Sequence, residues 1–254
     1  VRFRGKVVLI SAAGAGIGAA TARIVAGEGG TVAAVDTRAE ALERLAGELA
    51  GAPGRVVPLV ADALDAGQVA EVVRRVVEAQ GRIDVLVNAV GGSTIIASPA
   101  APIDELSFED WQRLLDFNLR GTFLFTHAVV PVMKRQGGGK IVNLSSIAGR
   151  GTSASSSSAY ATAKGGIIAL TRKLAAELGP HGITVNAIAP SLTLSERIRP
   201  HWERRPPEAQ AAELARTPLR RVATPEDQAR VICFLASADA DFVSGVTIDV
   251  TGGQ

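Results

Sequence analysis

Tyr160 and Lys164 stand four residues apart in the stretch 143–166 (NLSSIAGRGTSASSSSAYATAKGG), behind the serine pair Ser145-Ser146. On a helix, positions i and i+4 share one face, so the spacing sets a phenol beside an ammonium. The positive charge favours phenolate and predicts a Tyr160 pKa below the usual value of about 10, where proton exchange near neutrality becomes accessible. A serine hydroxyl nearby can hold a carbonyl or alcohol oxygen. Such a set moves a proton onto or off an oxygen, and it needs a hydride donor to complete a reduction. The rest of the chain has to supply the seat for that donor.

Residues 6–11 (KVVLIS) form a short β-branched apolar run that suits a strand buried on both faces. A small-residue turn follows (AAGAGIGAA), then a helix from 17 to about 27 and a strand over 31–35 that ends at Asp36. Gly14-x-Gly16-x-x-Ala19, placed between strand and helix with an acid about twenty residues on, matches a dinucleotide fingerprint. Glycines let the backbone approach a pyrophosphate, and the helix N-terminus offers N–H donors and a positive dipole end. Asp36 can accept both ribose hydroxyls of NAD, and its charge repels the 2′-phosphate of NADP. Arg38 is the one nearby group that favours that phosphate, and no basic residue stands inside the glycine turn. NAD is therefore the expected cofactor, ahead of NADP.

The alternation continues. Helices are predicted over 39–49, 66–79, 108–135, 159–178 and 225–235, with strands over 55–60, 83–88, 140–144, 183–188 and 246–250. In the helix 66–79, Val69, Val72, Val73, Val76 and Val77 mark the apolar face. Seven strands alternating with six helices predict a Rossmann-type α/β fold, a doubly wound seven-stranded parallel sheet with helices on both faces. No linker divides the chain, so 1–254 is expected to fold as one domain. The serine run 155–158 reads as a solvated loop.

Bulk properties exclude several classes. A net charge of +2 gives no electrostatic case for nucleic acid. No apolar run approaches the roughly 18 residues of a membrane span, and no charged, apolar, small-residue leader opens the chain, so the expected address is the cytoplasm. The single cysteine, Cys233, excludes an internal disulfide or a cysteine metal cluster and reads as a core thiol. His127 and His181 lack partners at metal spacing, so no metal is expected.

Taken in order, these motifs resemble the short-chain dehydrogenase/reductase family in its short form, over nearly the whole chain. The family's T-G-x-x-x-G-x-G falls on Ser11-Ala12-Ala13-Gly14-Ala15-Gly16-Ile17-Gly18, with Ser-Ala replacing Thr-Gly. Asp62 and Ala63 stand where the family contacts adenine, and Asn88-Ala89-Val90-Gly91 replaces its N-N-A-G. Asn118 matches the helical asparagine that anchors a proton-relay water, Ser146 the catalytic serine, and Tyr160 and Lys164 the Y-x-x-x-K pair. Ser146 lies fourteen residues before Tyr160, one more than the family spacing, which keeps Ser145 as the alternative. Asn186-Ala-Ile-Ala-Pro190-Ser191 replaces N-x-x-x-P-G, and Thr193 and Ser195 follow where the family holds nicotinamide and phosphates.

The resemblance implies Asn118, Ser146, Tyr160 and Lys164 as the catalytic set. It implies a cofactor held by Ser11, Gly14, Gly16, Ile17, Gly18, Asp36, Arg38, Asp62, Ala63, Asn88, Ala89, Val90, Gly91, Tyr160, Lys164, Pro190, Ser191, Thr193 and Ser195. The expected activity is NAD(H)-dependent interconversion of a secondary alcohol and a ketone, with a small-molecule alcohol or ketone as substrate. Two alternatives are a 3-oxoacyl thioester reductase and, in another class, a non-catalytic nucleotide-binding regulator. The polar segment 192–217 is the expected substrate lid, and its Arg197, Arg199, Arg204 and Arg205 read as a solvated helix face ahead of an anion-binding one. The long helices, as in the family, imply a homotetramer.

Overall fold

In the computed structural model, which describes residues 1–151, 153 and 156–254, the run Val7–Ser11 is an inner strand, β1, buried along its whole length. The small-residue turn leads into α1 (Gly16–Gly27). The chain continues through β2 (Thr31–Asp36), α2 (Ala39–Glu48), β3 (Arg55–Val60) and α3 (Ala66–Gln80) to β4 (Val85–Asn88). Next come α4 (Phe108–Leu115), α5 (Gly121–Arg135), β5 (Gly139–Leu144), α6 (Ser158–Leu178) and β6 (Ile183–Pro190). Two short helices, α7 (Arg199–Glu203) and α8 (Pro207–Arg216), precede α9 (Pro225–Leu235) and β7 (Thr247–Val250). The seven strands are all parallel, in the order β3-β2-β1-β4-β5-β6-β7. This is the Rossmann-type sheet that the alternation predicts.

The strand order reverses between β1 and β4, and such a reversal opens a crevice beyond the carboxyl ends of the two strands. Ser11 braces the crevice from behind: its Oγ accepts from Ala89 N at 3.0 Å and donates to Val87 O at 3.4 Å. Each sheet face carries its own core. One side packs Ala22 and Val25 of α1, Leu42 and Leu45 of α2, and Ile232, Cys233 and Leu235 of α9 on the strands. The other side packs Val69, Val72, Val73 and Val76 of α3 with Phe125, Val129 and Met133 of α5. Val77, at the rim of the predicted stripe, is only partly buried against this cluster. Burial pushes the Cys233 thiol up to about 12, which makes it an inert packing group.

The helical region expected over 108–135 is observed with those bounds, and its middle is not α-helical. A π turn, Asp116–Arg120, separates α4 from α5 and is centred on Asn118. Its cause is visible in the hydrogen bonds. Asn118 Nδ2 donates to Leu114 O at 2.9 Å, so a side chain takes a carbonyl that the helix ladder ordinarily serves.

Candidate active site

The helix that carries Tyr160 begins where it does because Ser157 caps it. The Ser157 side chain accepts from Tyr160 N at 3.4 Å, and its own N–H donates to Pro99 O at 2.7 Å. The solvated loop expected over 155–158 is thus corrected, since Ser157 is only 1% exposed; Ser155 lies outside the described residues. A serine three residues ahead of Tyr160 is the signal that could have revealed the cap.

Lys164 Nζ lies 5.8 Å from the centroid of the Tyr160 ring and donates to Leu144 O at 2.8 Å. The expected depression of the Tyr160 pKa by Lys164 is not what the surroundings produce. Removal from water raises the Tyr160 pKa, against the lowering effects of a hydrogen bond with Ser146 and of the Arg197 charge. Lys164 is 3% exposed, and burial, aided by Arg197, lowers its pKa to about 7. A lysine that is half neutral at pH 7 is a weak source of field for its neighbour.

The two serines of the pair do different things. Ser145 is buried and its Oγ donates to Lys164 O at 2.7 Å, tying the end of β5 to α6. Ser146 is the one whose hydroxyl acts on the Tyr160 phenol, lowering its pKa; its Oγ accepts from Ala148 N at 3.2 Å and donates to Pro190 O at 3.5 Å. The long spacing to Tyr160 therefore still delivers Ser146, not Ser145, to the phenol.

Asn118 sits behind these groups with its amide engaged by the protein. Its Oδ1 accepts from Gly92 N at 2.9 Å, and Nδ2 donates to Gly92 O at 3.1 Å as well as to Leu114 O. Both donors are spent on backbone, so this side chain clamps the loop after β4 and does not itself offer a donor to a relay water. Gly91, in that loop, has no room for a side chain. A Cβ there would stand 2.6 Å from Lys164 Nζ and 2.7 Å from Asn118 Oδ1.

At the other end, Gly18 allows α1 to start against the turn, because a Cβ would lie 2.2 Å from Ala12 O. Ala12 itself adopts φ 53, the left-handed region that glycine ordinarily fills. Asp36, 7% exposed, closes β2 and accepts from Gly14 N at 3.0 Å and from Arg38 Nε at 3.0 Å. Burial alone raises its pKa, but the bonds from Arg38 and Gly14 outweigh this and hold the carboxyl below its ordinary value.

One cavity of about 810 Å³ joins the two ends. Of the predicted residues it is lined by Gly16, Ile17, Gly18, Asp36, Arg38, Ala89, Gly91, Ser146, Tyr160, Lys164, Pro190, Ser191, Thr193 and Ser195. The others stand behind or beside it. Ser11 and Gly14 spend their polar groups on Val87, Ala89 and Asp36. Asn88 Nδ2 bonds Asn143 Oδ1 at 2.9 Å and Thr126 Oγ1 at 3.1 Å, in a buried network that spaces the strands. Val90 and Ala63 pack in the core, and exposed Asp62 accepts from Leu64 N at 2.8 Å. Arg197, Arg199 and Arg204 are exposed, as a solvated arginine face requires, but Arg197 also lines the cavity and donates to Gly91 O at 3.1 Å. Glu196 had no signal in the sequence. Its carboxylate accepts from Gly16 N at 2.8 Å across 180 residues.

That last contact tests the turn as a seat for a dinucleotide. The Gly16 N–H already holds an anionic oxygen, Asp36 stands ready for ribose hydroxyls, and Gly91 leaves open backbone beside Lys164. The residues fit the group. An anion seat after β1 that opens into the same cavity as a phenol and an ammonium after β5 belongs to a dinucleotide-dependent oxidoreductase. The chain is a member of the short-chain dehydrogenase/reductase family: residues 11–254 match the family model described as enoyl-(acyl carrier protein) reductase. It is 41% identical to the 3-oxoacyl-[acyl-carrier-protein] reductase of Thermotoga maritima, a match covering 100% of this chain and 99% of that protein. A 3-oxoacyl-[acyl-carrier protein] reductase from Brucella melitensis, solved with bound NAD, superposes with TM-score 0.87 at 35% identity, covering 99% of this chain and 93% of that one. A 7α-hydroxysteroid dehydrogenase complexed with NADH and 7-oxo glycochenodeoxycholic acid gives TM-score 0.90 at 31% identity, covering 99% and 95%.

Proposed function

We propose that this protein is an NAD(H)-dependent oxidoreductase that interconverts a secondary alcohol and a ketone, with Tyr160 as general acid and base. The observation that carries the reading is that Tyr160, Ser146 and Lys164 line one cavity, with Lys164 Nζ 5.8 Å from the phenol ring centroid, and that this cavity is continuous with the glycine turn and Asp36. The nicotinamide cofactor supplies the hydride in reduction and accepts it in oxidation. Ser146 and Tyr160 hold the substrate oxygen; Tyr160 gives it a proton in reduction and takes one in oxidation. Lys164, fixed by Leu144 O, anchors the cofactor ribose and completes the polar wall around the phenol. Gly16, Gly18 and the N-terminus of α1 hold the pyrophosphate, and Asp36 holds the adenosine ribose and favours NAD over NADP. The segment 192–217 acts as the lid over the substrate.

General acid–base help of this kind contributes roughly 10²–10⁴-fold, so Tyr160→Phe should lose most turnover while NADH binding stays near the unmodified level. Ketone-dependent loss of NADH absorbance reads the first and NADH fluorescence the second. Substantial reduction by Tyr160→Phe would remove Tyr160 from its role.

A second reading within the same chemistry is supported by the Thermotoga relative and by Arg197 and Arg216 at the cavity, which suit a substrate with an anionic carrier arm. It makes the substrate a 3-oxoacyl thioester. An acetoacetyl thioester assayed against simple ketones, each with NADH and NADPH, separates the two. For assembly, we infer a homotetramer from exposed aromatics such as Phe108 (80%) and Phe123 (56%) on α4 and α5. A light-scattering mass near 26.2 kDa, that of one chain, would contradict it.

A further inference from the structure

Two adjacent side chains of the segment after β6 reach opposite walls of the cleft. Glu196 goes to the turn that follows β1, where its carboxylate takes the Gly16 N–H at 2.8 Å. Its charge is also felt by Arg23 and Arg38, whose pKa values it helps to raise. Arg197 goes to the loop that follows β4, where its guanidinium takes Gly91 O at 3.1 Å and acts on Tyr160 and Lys164. The backbone comes along: Ser195 Cβ lies 3.3 Å from where a Gly16 Cβ would stand. Strands β1 and β4 are neighbours at the reversal of strand order, so the pair spans the crevice in which the dinucleotide is to lie.

We propose that Glu196 and Arg197 form a latch in the cofactor-free enzyme, with the Glu196 carboxylate standing in the pyrophosphate seat, so that cofactor entry and release of the 191–198 segment are one event. The inference rests on the cofactor reading given above. Its physical basis is competition for donors. A helix N-terminus presents a small number of free N–H groups, and an intramolecular carboxylate on one of them must leave before a phosphate oxygen can take it. Arg197 answers with the opposite charge on a carbonyl, so both ends are polar contacts that water can replace when the segment lifts. The latch thus lowers cofactor affinity in proportion to the fraction of time it is closed. Both side chains are exposed, which keeps each contact weak and the opening frequent.

The test uses the full chain. NADH affinity is measured by fluorescence titration for the unmodified enzyme, Glu196→Gln, Arg197→Met and, as control, Glu203→Gln on exposed α7. In parallel, hydrogen exchange of the 191–205 peptides is followed without cofactor. The latch predicts about fivefold tighter NADH binding by Glu196→Gln, the upper end for an exposed charge at a helix N-terminus, with no change for Glu203→Gln. It also predicts faster cofactor-free exchange in both Glu196→Gln and Arg197→Met. Unchanged or weaker NADH binding by Glu196→Gln, with the unmodified enzyme binding normally, overturns the latch and leaves the cofactor reading standing. Unchanged exchange in both variants overturns it too, whatever the affinities. If the unmodified enzyme binds neither NADH nor NADPH, the cofactor reading falls and the latch falls with it.

Discussion

Replacing Lys164 by Met should make the cofactor-free protein more stable at neutral pH and destroy its activity. The ammonium is 3% exposed, and its pKa is lowered from 10.5 to about 7, chiefly by burial. In the unfolded chain Lys164 holds its proton up to about 10.5. Between pH 7 and 10.5 the unfolded state therefore binds one proton more than the native state, and stability must rise with pH across that window. Below pH 7 both states carry the proton and the full penalty stays. At about 1.4 kcal/mol per pH unit, the window corresponds to at most about 5 kcal/mol. Two losses offset the gain from Met: the bond to Leu144 O, worth about 1 kcal/mol, and imperfect repacking of the new side chain, worth about another. The expected net gain is at most about 3 kcal/mol at pH 7, fading to nothing or slightly less by pH 10. Urea unfolding of the two proteins at pH 7, 8, 9 and 10 measures it, and the informative quantity is the difference between the curves. Parallel pH profiles for the two proteins would refute the reasoning, because they would mean that Lys164 keeps its charge as easily in the fold as in water.

Two further substitutions probe the nucleotide end. Ala12→Gly relieves a left-handed backbone at φ 53 and should raise stability by up to about 1 kcal/mol, seen as a higher melting temperature; a lower one would show that the alanine methyl contributes more than its strain costs. Asp36→Ala removes the acid that now holds Arg38 at 3.0 Å, so the freed guanidinium can meet a 2′-phosphate. The ratio of NADPH to NADH affinity should rise by roughly tenfold or more, and an unchanged ratio would show that Asp36 does not set cofactor choice.

The sheet was legible because each strand is a short β-branched run bounded by small or polar residues, and each helix repeats its apolar positions at helical spacing. Tyr160 and Lys164 were legible for the same reason, since their relation is local and one helix turn settles it. What the sequence concealed depends on contacts across long separations. Glu196 meets Gly16 and Arg197 meets Gly91, and in each case one partner is a backbone group that carries no residue-type signal. The π turn at Asn118 was hidden because the helical pattern runs unbroken through 108–135, while the amide that takes Leu114 O also answers to the loop after β4. The raised Tyr160 pKa is not legible in the sequence because spacing reports a neighbour's charge and not the loss of water that both groups suffer.

Several departures from local preference lie together at the carboxyl end of the sheet. Ala12 in left-handed backbone, the π turn at Asn118 and the buried ammonium of Lys164 all lie beyond or beside the carboxyl ends of β1, β4 and β5. Close behind them, Asn88 Oδ1 is buried without a hydrogen-bond partner among the described residues. Asn118 and Lys164 are held through the same neighbourhood: Asn118 clamps the loop in which Gly91 makes room for Lys164, and Ser145 ties Lys164 to β5. The apolar clusters on the two sheet faces show no such concentration, so they supply the stability that these features consume. A fold without a task would have no reason to retain a neutralisable lysine in place of an aliphatic residue. The gain expected from Lys164→Met therefore measures how much stability the cavity gives up to keep an amine beside its phenol.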